Sequence, residues 1–503
     1  MKLRTVGAAA GLVALAAFAA AAADAAKADA AGVPAGSAAS KSVVEQIKNP
    51  VDWFKWGAEL RIREEVLSKV YDFSDYTRDD DMYNWFRGRA RVWAQFGNFF
   101  QQNAKNNDGL SFYGRLTTEP KYVWEQGTIH QGKVGTVNKQ AVYDNLYMQW
   151  TRIAGVPVSL KFGRFDAFYG RGLLIGDGTP LDGSRTIYSD GAIGTLHLDD
   201  MNTNVDFIWL QNDGSLRRLS SIGPTNPADK KNVSEYDTQI LGVYVSNKSF
   251  KDVEIQAYYL FKDDDPINGY GTYKDDGVPS GLVHTLGANV QGVYGAWDYY
   301  GEVAGQWGMR RGMYWSYSPS YGGSWYGDGE KHSRQAYSIN GDLGYTFKDV
   351  AWTPRVHAFY NNYSGDDNSS ATYEGWDPVL GRWPQFSELW AYHMGAEQGL
   401  PGLVTNMQRM GLGVAVNPPA VQSVYKAMRL SLDYNYLLAN RSQMDPSTGS
   451  YERGNMLIGL MEVQFMDCLK GHILLEYLVP GAFYPQGYKN SAFFGRWEIT
   501  YTF

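Results

Sequence analysis

The run FRGRARVWAQF, residues 86–96, sets Arg87, Arg89 and Arg91 at every second position, with Gly88, Ala90 and Val92 between them. On a strand, successive side chains leave opposite faces, so three guanidinium groups share one side and small apolar groups the other. Neighbouring arginines on that side stand about 6–7 Å apart. Their repulsion, about 2.5 kcal/mol per adjacent pair at an effective dielectric of 20, forbids a dry cluster without partners. That face must be wet, paired with acids, or both. The other face is suited to lipid.

The same period of two runs through the chain from Trp53 onward. Phe54, Trp56, Ala58, Leu60 and Ile62 alternate with Lys55, Gly57, Glu59, Arg61 and Arg63. Val253, Ile255, Ala257, Tyr259 and Phe261 oppose Glu254, Gln256 and Tyr258, and Met428, Leu430, Leu432 and Tyr434 oppose Arg429, Ser431, Asp433 and Asn435. Phe493, Gly495, Trp497, Ile499, Tyr501 and Phe503 oppose Arg496, Glu498, Thr500 and Thr502. Ten-residue stretches of this kind, bounded by turn formers and with aromatics near their ends, are the signature of a transmembrane β-barrel. The periodicity predicts an all-β, antiparallel barrel of about 18 strands over residues 53–503.

Connection lengths support it. Long segments fall at 67–82, 120–141, 166–190, 212–236, 263–281, 309–332, 362–408, 439–453 and 479–491. Between them lie short ones, at 154–157, 199–202, 246–251, 294–296, 348–351, 417–423 and 466–471, with only 97–109 longer than expected. Short periplasmic turns alternating with long extracellular loops are what such a barrel requires. A soluble sandwich has no reason to sort its loops this way.

The chain opens with Lys2 and Arg4, an apolar run over 6–23 and small-residue cleavage patterns at 21–23 and 28–30. That order predicts a secretory signal peptide over 1–23, with cleavage as late as 30. Residues 31–52 read as a periplasmic linker with one or two helical turns around 42–48. The lone Cys468 excludes an internal disulfide framework in an exported chain. A net charge of -7 makes the chain acidic, and much of that acid sits in loops such as 75–82, 261–266 and 363–370.

The stretch GRFDAFYGRGLLIGDGTPLDGSRTIYSDGAIGTL, beginning at Gly163, carries a more specific pattern. Gly163-Arg164 ends a strand, Gly172-Leu173-Leu174-Ile175-Gly176 lies in the following loop, and Arg185 precedes Asp190-Gly191 at the next strand. These elements, with the opening WFKWGAELRIREE (53–65), resemble the alginate export family of outer-membrane barrel porins. Phe165 stands where that family's pattern has Gln. The resemblance implies eighteen strands, an outer-membrane location in a Gram-negative envelope, and transport of an anionic or sugar-like solute, with polysaccharide export as one form. A passive general diffusion porin and a structural or surface-recognition barrel are the alternatives.

Candidate pore-lining, anion-binding residues are Arg61, Arg63, Arg87, Arg89, Arg91, Arg115, Lys161, Arg355, Arg429 and Arg496, which share the polar phase of their strands. Two readings of the Arg87–Arg89–Arg91 triplet stay open: a basic ladder facing the pore, or a wall network closed by Glu59 and Glu119. The loop with Asp166, Arg171, Asp177, Asp182 and Arg185 is the candidate constriction. Its apolar Leu173, Leu174 and Ile175 favour an inward fold over an external lid. No catalytic motif appears, the seven histidines lack metal-ligand spacing, and no cofactor, metal or nucleic-acid partner is implied. Expected partners are the lipid bilayer, the solute, and the barrel-assembly machinery through the terminal aromatic Phe503.

Overall fold

The structure is a computed structural model. It describes residues 43–71, 73, 82–101, 108–125, 135–137, 141–176, 181, 188–212, 221–222, 236–266, 281–318, 322–367, 369–381, 384–398, 404–442 and 449–503. The expected leader at 1–23 and most of the linker at 31–52 lie outside the described residues.

Eighteen strands form the wall. They are β1 (Phe54–Ser68), β2 (Met82–Phe99), β3 (Gly109–Thr118), β4 (Ala141–Thr151), β5 (Val158–Phe165) and β6 (Ser189–Leu198). Next come β7 (Thr203–Asn212), β8 (Tyr236–Asn247), β9 (Val253–Pro266), β10 (Gly281–Tyr294), β11 (Trp297–Ser318) and β12 (Gly322–Thr346). The last six are β13 (Arg355–Tyr363), β14 (Met407–Val416), β15 (Ala427–Leu438), β16 (Glu452–Met466), β17 (Leu469–Pro480) and β18 (Ala492–Thr502). Each pairs antiparallel with the next. The last returns to the first, with Arg61 opposite Thr500 and Glu65 opposite Arg496. Closure satisfies every edge, the condition for a sheet to stand in hydrocarbon.

The period of two sorts the side chains. Leu60 and Ile62 are 48% and 41% exposed on the outer face, whereas Arg61 and Arg63 on the inner face are 1% and 0% exposed. A charge on the lipid side costs roughly 2–4 kcal/mol at mid-membrane, which fixes this orientation. Short connections at 152–157, 199–202, 248–252, 295–296, 347–354 and 467–468 gather at one rim, as expected. One long connection differs from its expected form. Residues 309–332 are mostly a ladder, because β11 and β12 stay paired to Ser318 and Gly322. A short α1 (Val43–Lys48) sits at the start of the barrel, where Trp56 Nε1 donates to Ile47 O at 2.7 Å.

The interior is not an open tube. The described parts of two of the long connections, 166–176 and 369–381 with 384–398, turn inward and carry apolar side chains into the lumen. Leu174, Ile175, Trp376, Val379 and Leu380 pack with Ile208, Tyr244 and Leu260 of the wall. The second loop also holds α2 (Glu388–Gln398), whose Leu389 and Trp390 are fully buried among residues of β1, β2 and β15–β18.

Candidate functional site

The arginine triplet lies between two strands that carry acids at the matching register. Arg91 is opposite Glu59 and Arg89 is opposite Arg61 across β1–β2. Arg89 Nη2 lies 2.6 Å from Glu59 Oε1, and Arg91 Nη1 lies 4.0 Å from the same oxygen. Arg87 bridges Glu65 at 3.3 Å and Glu119 at 3.2 Å. Arg61 pairs with Glu119 and, at 3.6 Å, with Glu498. Arg63 meets Glu65 at 3.1 Å, Glu498 at 3.4 Å and Glu119 at 3.9 Å. The two acids expected from sequence, Glu59 and Glu119, are both in the network, and Glu65 and Glu498 complete it. Arg61, Arg63 and Arg496 face inward but are shut away from water, so they stiffen the wall rather than greet a solute.

The other candidates divide the same way. Arg115 forms a fork on Asp144, at 3.0 and 2.8 Å, and holds Asp166 at 2.8 Å. Arg355 bonds Asp298 at 2.6 Å and Asp342 at 2.7 Å, and His357 bridges Asp342 and Asp433 at 2.8 and 3.2 Å. Arg429 makes a half-exposed pair with Glu462 at 3.4 Å. Lys161 has no carboxylate in ion-pair range among the described residues, and its Nζ lies 4.2 Å from the Tyr147 ring and 4.5 Å from that of Phe165.

The loop after β5 is held at its stem. Gly163 faces Gly191 across β5–β6, and a side chain on Gly163 would fall 2.4 Å from Leu146 O. With φ at +127°, that position also favours glycine. Arg164 then grips Asp190 through two bonds, at 2.8 and 2.9 Å, joining the two ends of the loop. Beyond the stem, Tyr169 donates to Asp206 of β7 at 3.0 Å, and Arg171 lies over the Tyr300 ring of β11 at 3.9 Å. Asp166 and Arg171 therefore sit inside the barrel. Asp177, Asp182 and Arg185 lie outside the described residues.

The second inward loop was missed by sequence reasoning, although Trp376, Leu389 and Trp390 carry the same apolar signal as Leu173, Leu174 and Ile175. Asp377 pins it to Lys262 at 2.9 Å and Arg334 at 3.4 Å, and Gln306 Nε2 donates to Asp377 O at 2.6 Å. Burial alone would raise the Asp377 carboxyl, but the two cations outweigh it and hold the group below the ordinary carboxylate range. Glu476 of β17 accepts from Ser387 Oγ and from the Glu388 and Leu389 amides at 2.7–3.0 Å, capping α2 at its positive end. The loops join where the Leu380 and Gly381 amides donate to Leu174 O at 2.8 and 2.7 Å.

On the short-turn side of this junction lies a cavity of about 1030 Å³. Every carboxylate on its lining is paired: Glu59 with Arg89, Asp342 with Arg355, Glu462 with Arg429, and Glu498 with Arg63. Arg171, Arg409 and Lys470 line it as well, and no described carboxylate lies in ion-pair range of them. The wall is a neutralised lattice, and the cavity keeps cations to spare.

A sequence model of the alginate export family matches residues 52–436. The chain belongs to that family. Its model spans most of the barrel, including the Gly163-Arg164 and Asp190-Gly191 stem. Among solved structures, the chain is similar to a BenF-like porin from Pseudomonas fluorescens Pf-5, at 10% identity and a TM-score of 0.51, over 90% of this chain and 99% of that one. It is also similar to OccAB1 of Acinetobacter baumannii, at 10% identity and a TM-score of 0.50, over 89% and 96%. At this identity the likeness concerns the fold. No curated protein matches the chain in sequence. This member of the alginate export family is an outer-membrane β-barrel channel.

Proposed function

We propose that the channel conducts anionic or sugar-like solutes, an acidic polysaccharide of the kind the family's description names being one cargo class. The observation that carries this reading is the charge balance of the cavity. Its acids are all paired at close range, whereas Arg171, Arg409 and Lys470 have no carboxylate in ion-pair range among the described residues. Lys161 adds another on the wall between Tyr147 and Phe165. Glu302 is buried, accepts hydrogen bonds from Tyr258 at 2.6 Å and from Tyr300, and does not line the cavity. A solute of negative charge thus meets a lower barrier than a cation does. The reading is of transport and assigns no catalytic role.

The test is the reversal potential of single channels in a salt gradient. Replacing Lys161 and Lys470 together by Gln removes two cations that hold no wall acid, so the barrel should assemble normally. Selectivity should move from anions toward cations at 0.1 M salt. The shift should shrink in 1 M salt, where the Debye length falls from about 10 Å to about 3 Å. A folded double variant with the wild-type reversal potential would remove the electrostatic basis of the proposal.

The same reading includes export through a cleaved leader at 1–23, a linker over 31–52, and insertion by the barrel-assembly machinery. Phe503 supports the last step: its amide and carbonyl pair with Ala58 beyond β18, and its ring lies 5.3 Å from that of Trp56. Deleting Phe503 should lower the yield of heat-modifiable barrel in outer-membrane fractions. Normal yield would count against recognition through this residue.

A further inference from the structure

Residues 375–381 lay the second inward loop against β9–β12, and Asp377 is the only charged residue among them. Trp376, Val379 and Leu380 bring apolar contact, packing with Ile208, Leu260, Ala304 and Ala336 of the wall. Trp376 Nε1 finds no acceptor among the described residues. Asp377 supplies the polar attachment. Its amide donates to Gln306 Oε1 at 2.9 Å, its carbonyl accepts from Gln306 Nε2, and its carboxylate sits between Lys262 and Arg334. Among the described residues, the one other polar contact from this stretch to the wall is a long bond, at 3.4 Å, from Arg334 Nη1 to Gly375 O.

The same carboxylate holds a strained backbone. Val379 has φ at +58°, in the left-handed region that a β-branched side chain seldom enters. Asp377 Oδ1 accepts from the Val379 amide at 2.8 Å, and the Val379 side chain is fully buried. Strain of this kind persists only where the surrounding contacts impose it. Release of the segment would strand no cation in a dry place. Lys262 keeps Asp264 at 2.5 Å. Arg334 gives up Gly375 O, Asp377 and the face of Tyr373, all of them on the loop, and their withdrawal lets water reach the guanidinium. The far end of the loop is built differently. There α2 is seated by Glu476 and Arg496 and by the buried Leu389 and Trp390, so it stays when 375–381 moves.

We propose that Asp377 is the latch of a gate. In the closed channel its carboxylate bridges Lys262 and Arg334, and the channel opens when 375–381 swings off β9–β12 about the seated α2. The bonds from the Leu380 and Gly381 amides to Leu174 O break in the same movement, which parts the two inward loops. The loop after β5 keeps its bond from Tyr169 to Asp206, so the opening is partial. Relief of the strain at Val379 favours the open state, and the ion pairs with the burial of Trp376 and Leu380 favour the closed one. The latch gives the anion channel its regulation and rests on that reading.

The test is single-channel recording of the full-length barrel in a planar bilayer, wild type against Asp377→Asn. The amide keeps the size of the side chain and an acceptor for Val379, but it loses both ion pairs. The wild type should dwell mostly at a low conductance level, and Asp377→Asn should raise the fraction of time at a higher level at least about tenfold. Arg334→Gln should raise it too. The two substitutions together should do no more than Asp377→Asn alone, because both remove the same pair. The temperature at which the compact, heat-modifiable form disappears should stay at its wild-type value in Asp377→Asn, since the wall keeps its own ion pairs. A fall in that temperature with unaltered dwell times would mean a merely structural role and overturn the latch, as would additive effects of the two substitutions. Wild-type levels and dwell times in Asp377→Asn, with anion selectivity intact, would sink the latch and spare the anion channel. A wild-type reversal potential without preference for anions would sink the channel reading, while the gating steps would still report the latch.

Discussion

Replacing residues 167–187 by a short Gly-Ser turn is expected to raise single-channel conductance severalfold. The segment contributes Tyr169, Arg171, Leu174 and Ile175 to the lumen, and Leu174 O receives the two amides that join the inward loops. Its stem survives the change, because Arg164 and Asp190 remain and β5 still pairs with β6. The wall therefore stays closed while the obstruction is withdrawn. Burying Leu174 and Ile175 stabilises the loop's inward position by roughly 1.5–3 kcal/mol each. Their loss also uncovers Trp376 and Leu380, so the remaining loop should fluctuate and the open-channel current should become noisier. Planar-bilayer recording decides the matter. Unaltered conductance would mean that ions pass where these residues are not.

Arg63→Met is expected to lose about 3–5 kcal/mol of barrel stability, the usual cost of leaving buried carboxylates without their cation. Glu65, Glu498 and Glu119 all lie within 4.0 Å of the Arg63 guanidinium, which is fully buried. The readout is the temperature at which the compact, heat-modifiable form disappears on a gel. Adding Glu498→Gln to Arg63→Met should recover part of the loss, since one stranded charge is then removed. An unaltered temperature in the single variant would mean that water fills the network. Arg409→Met should lose less, although both residues are buried arginines, because it strands only the neutral amide oxygens of Asn435 and Asn361.

That contrast marks how far the chain could be read before its structure was known. The alternation in 86–96 and the sorting of loop lengths gave the barrel, because the choice between lipid and water is made residue by residue. Glu59 and Glu119 were legible as partners, since they sit on the strands flanking the triplet. Glu498 was not, because it meets Arg63 only through closure of the barrel, 435 residues along the chain. The inward turn of 166–176 was signalled by three adjacent apolar residues. In 364–406 the same signal is scattered through a longer segment, with Trp376 and Trp390 far apart. Arg409 stayed hidden because its acceptors are the amides of Asn361 and Asn435 on the two neighbouring strands, and spacing along one strand carries no trace of that.

The ion pairs at the barrel's seam also tie its first strand, its last strand and the inward helix together. Arg496 Nη1 lies 2.6 Å from Glu388 and 3.8 Å from Glu65. The first acid belongs to α2, the second to the first strand, and the arginine to the last. These three groups meet only after the first and last strands have zipped together. Without the seam, the helix would keep Arg496 for its Glu388 but would lose the Leu67, Tyr83 and Trp85 side of its socket. Opening the seam is therefore expected to loosen α2 while the inward loop after β5, which packs on β7–β9, stays in place.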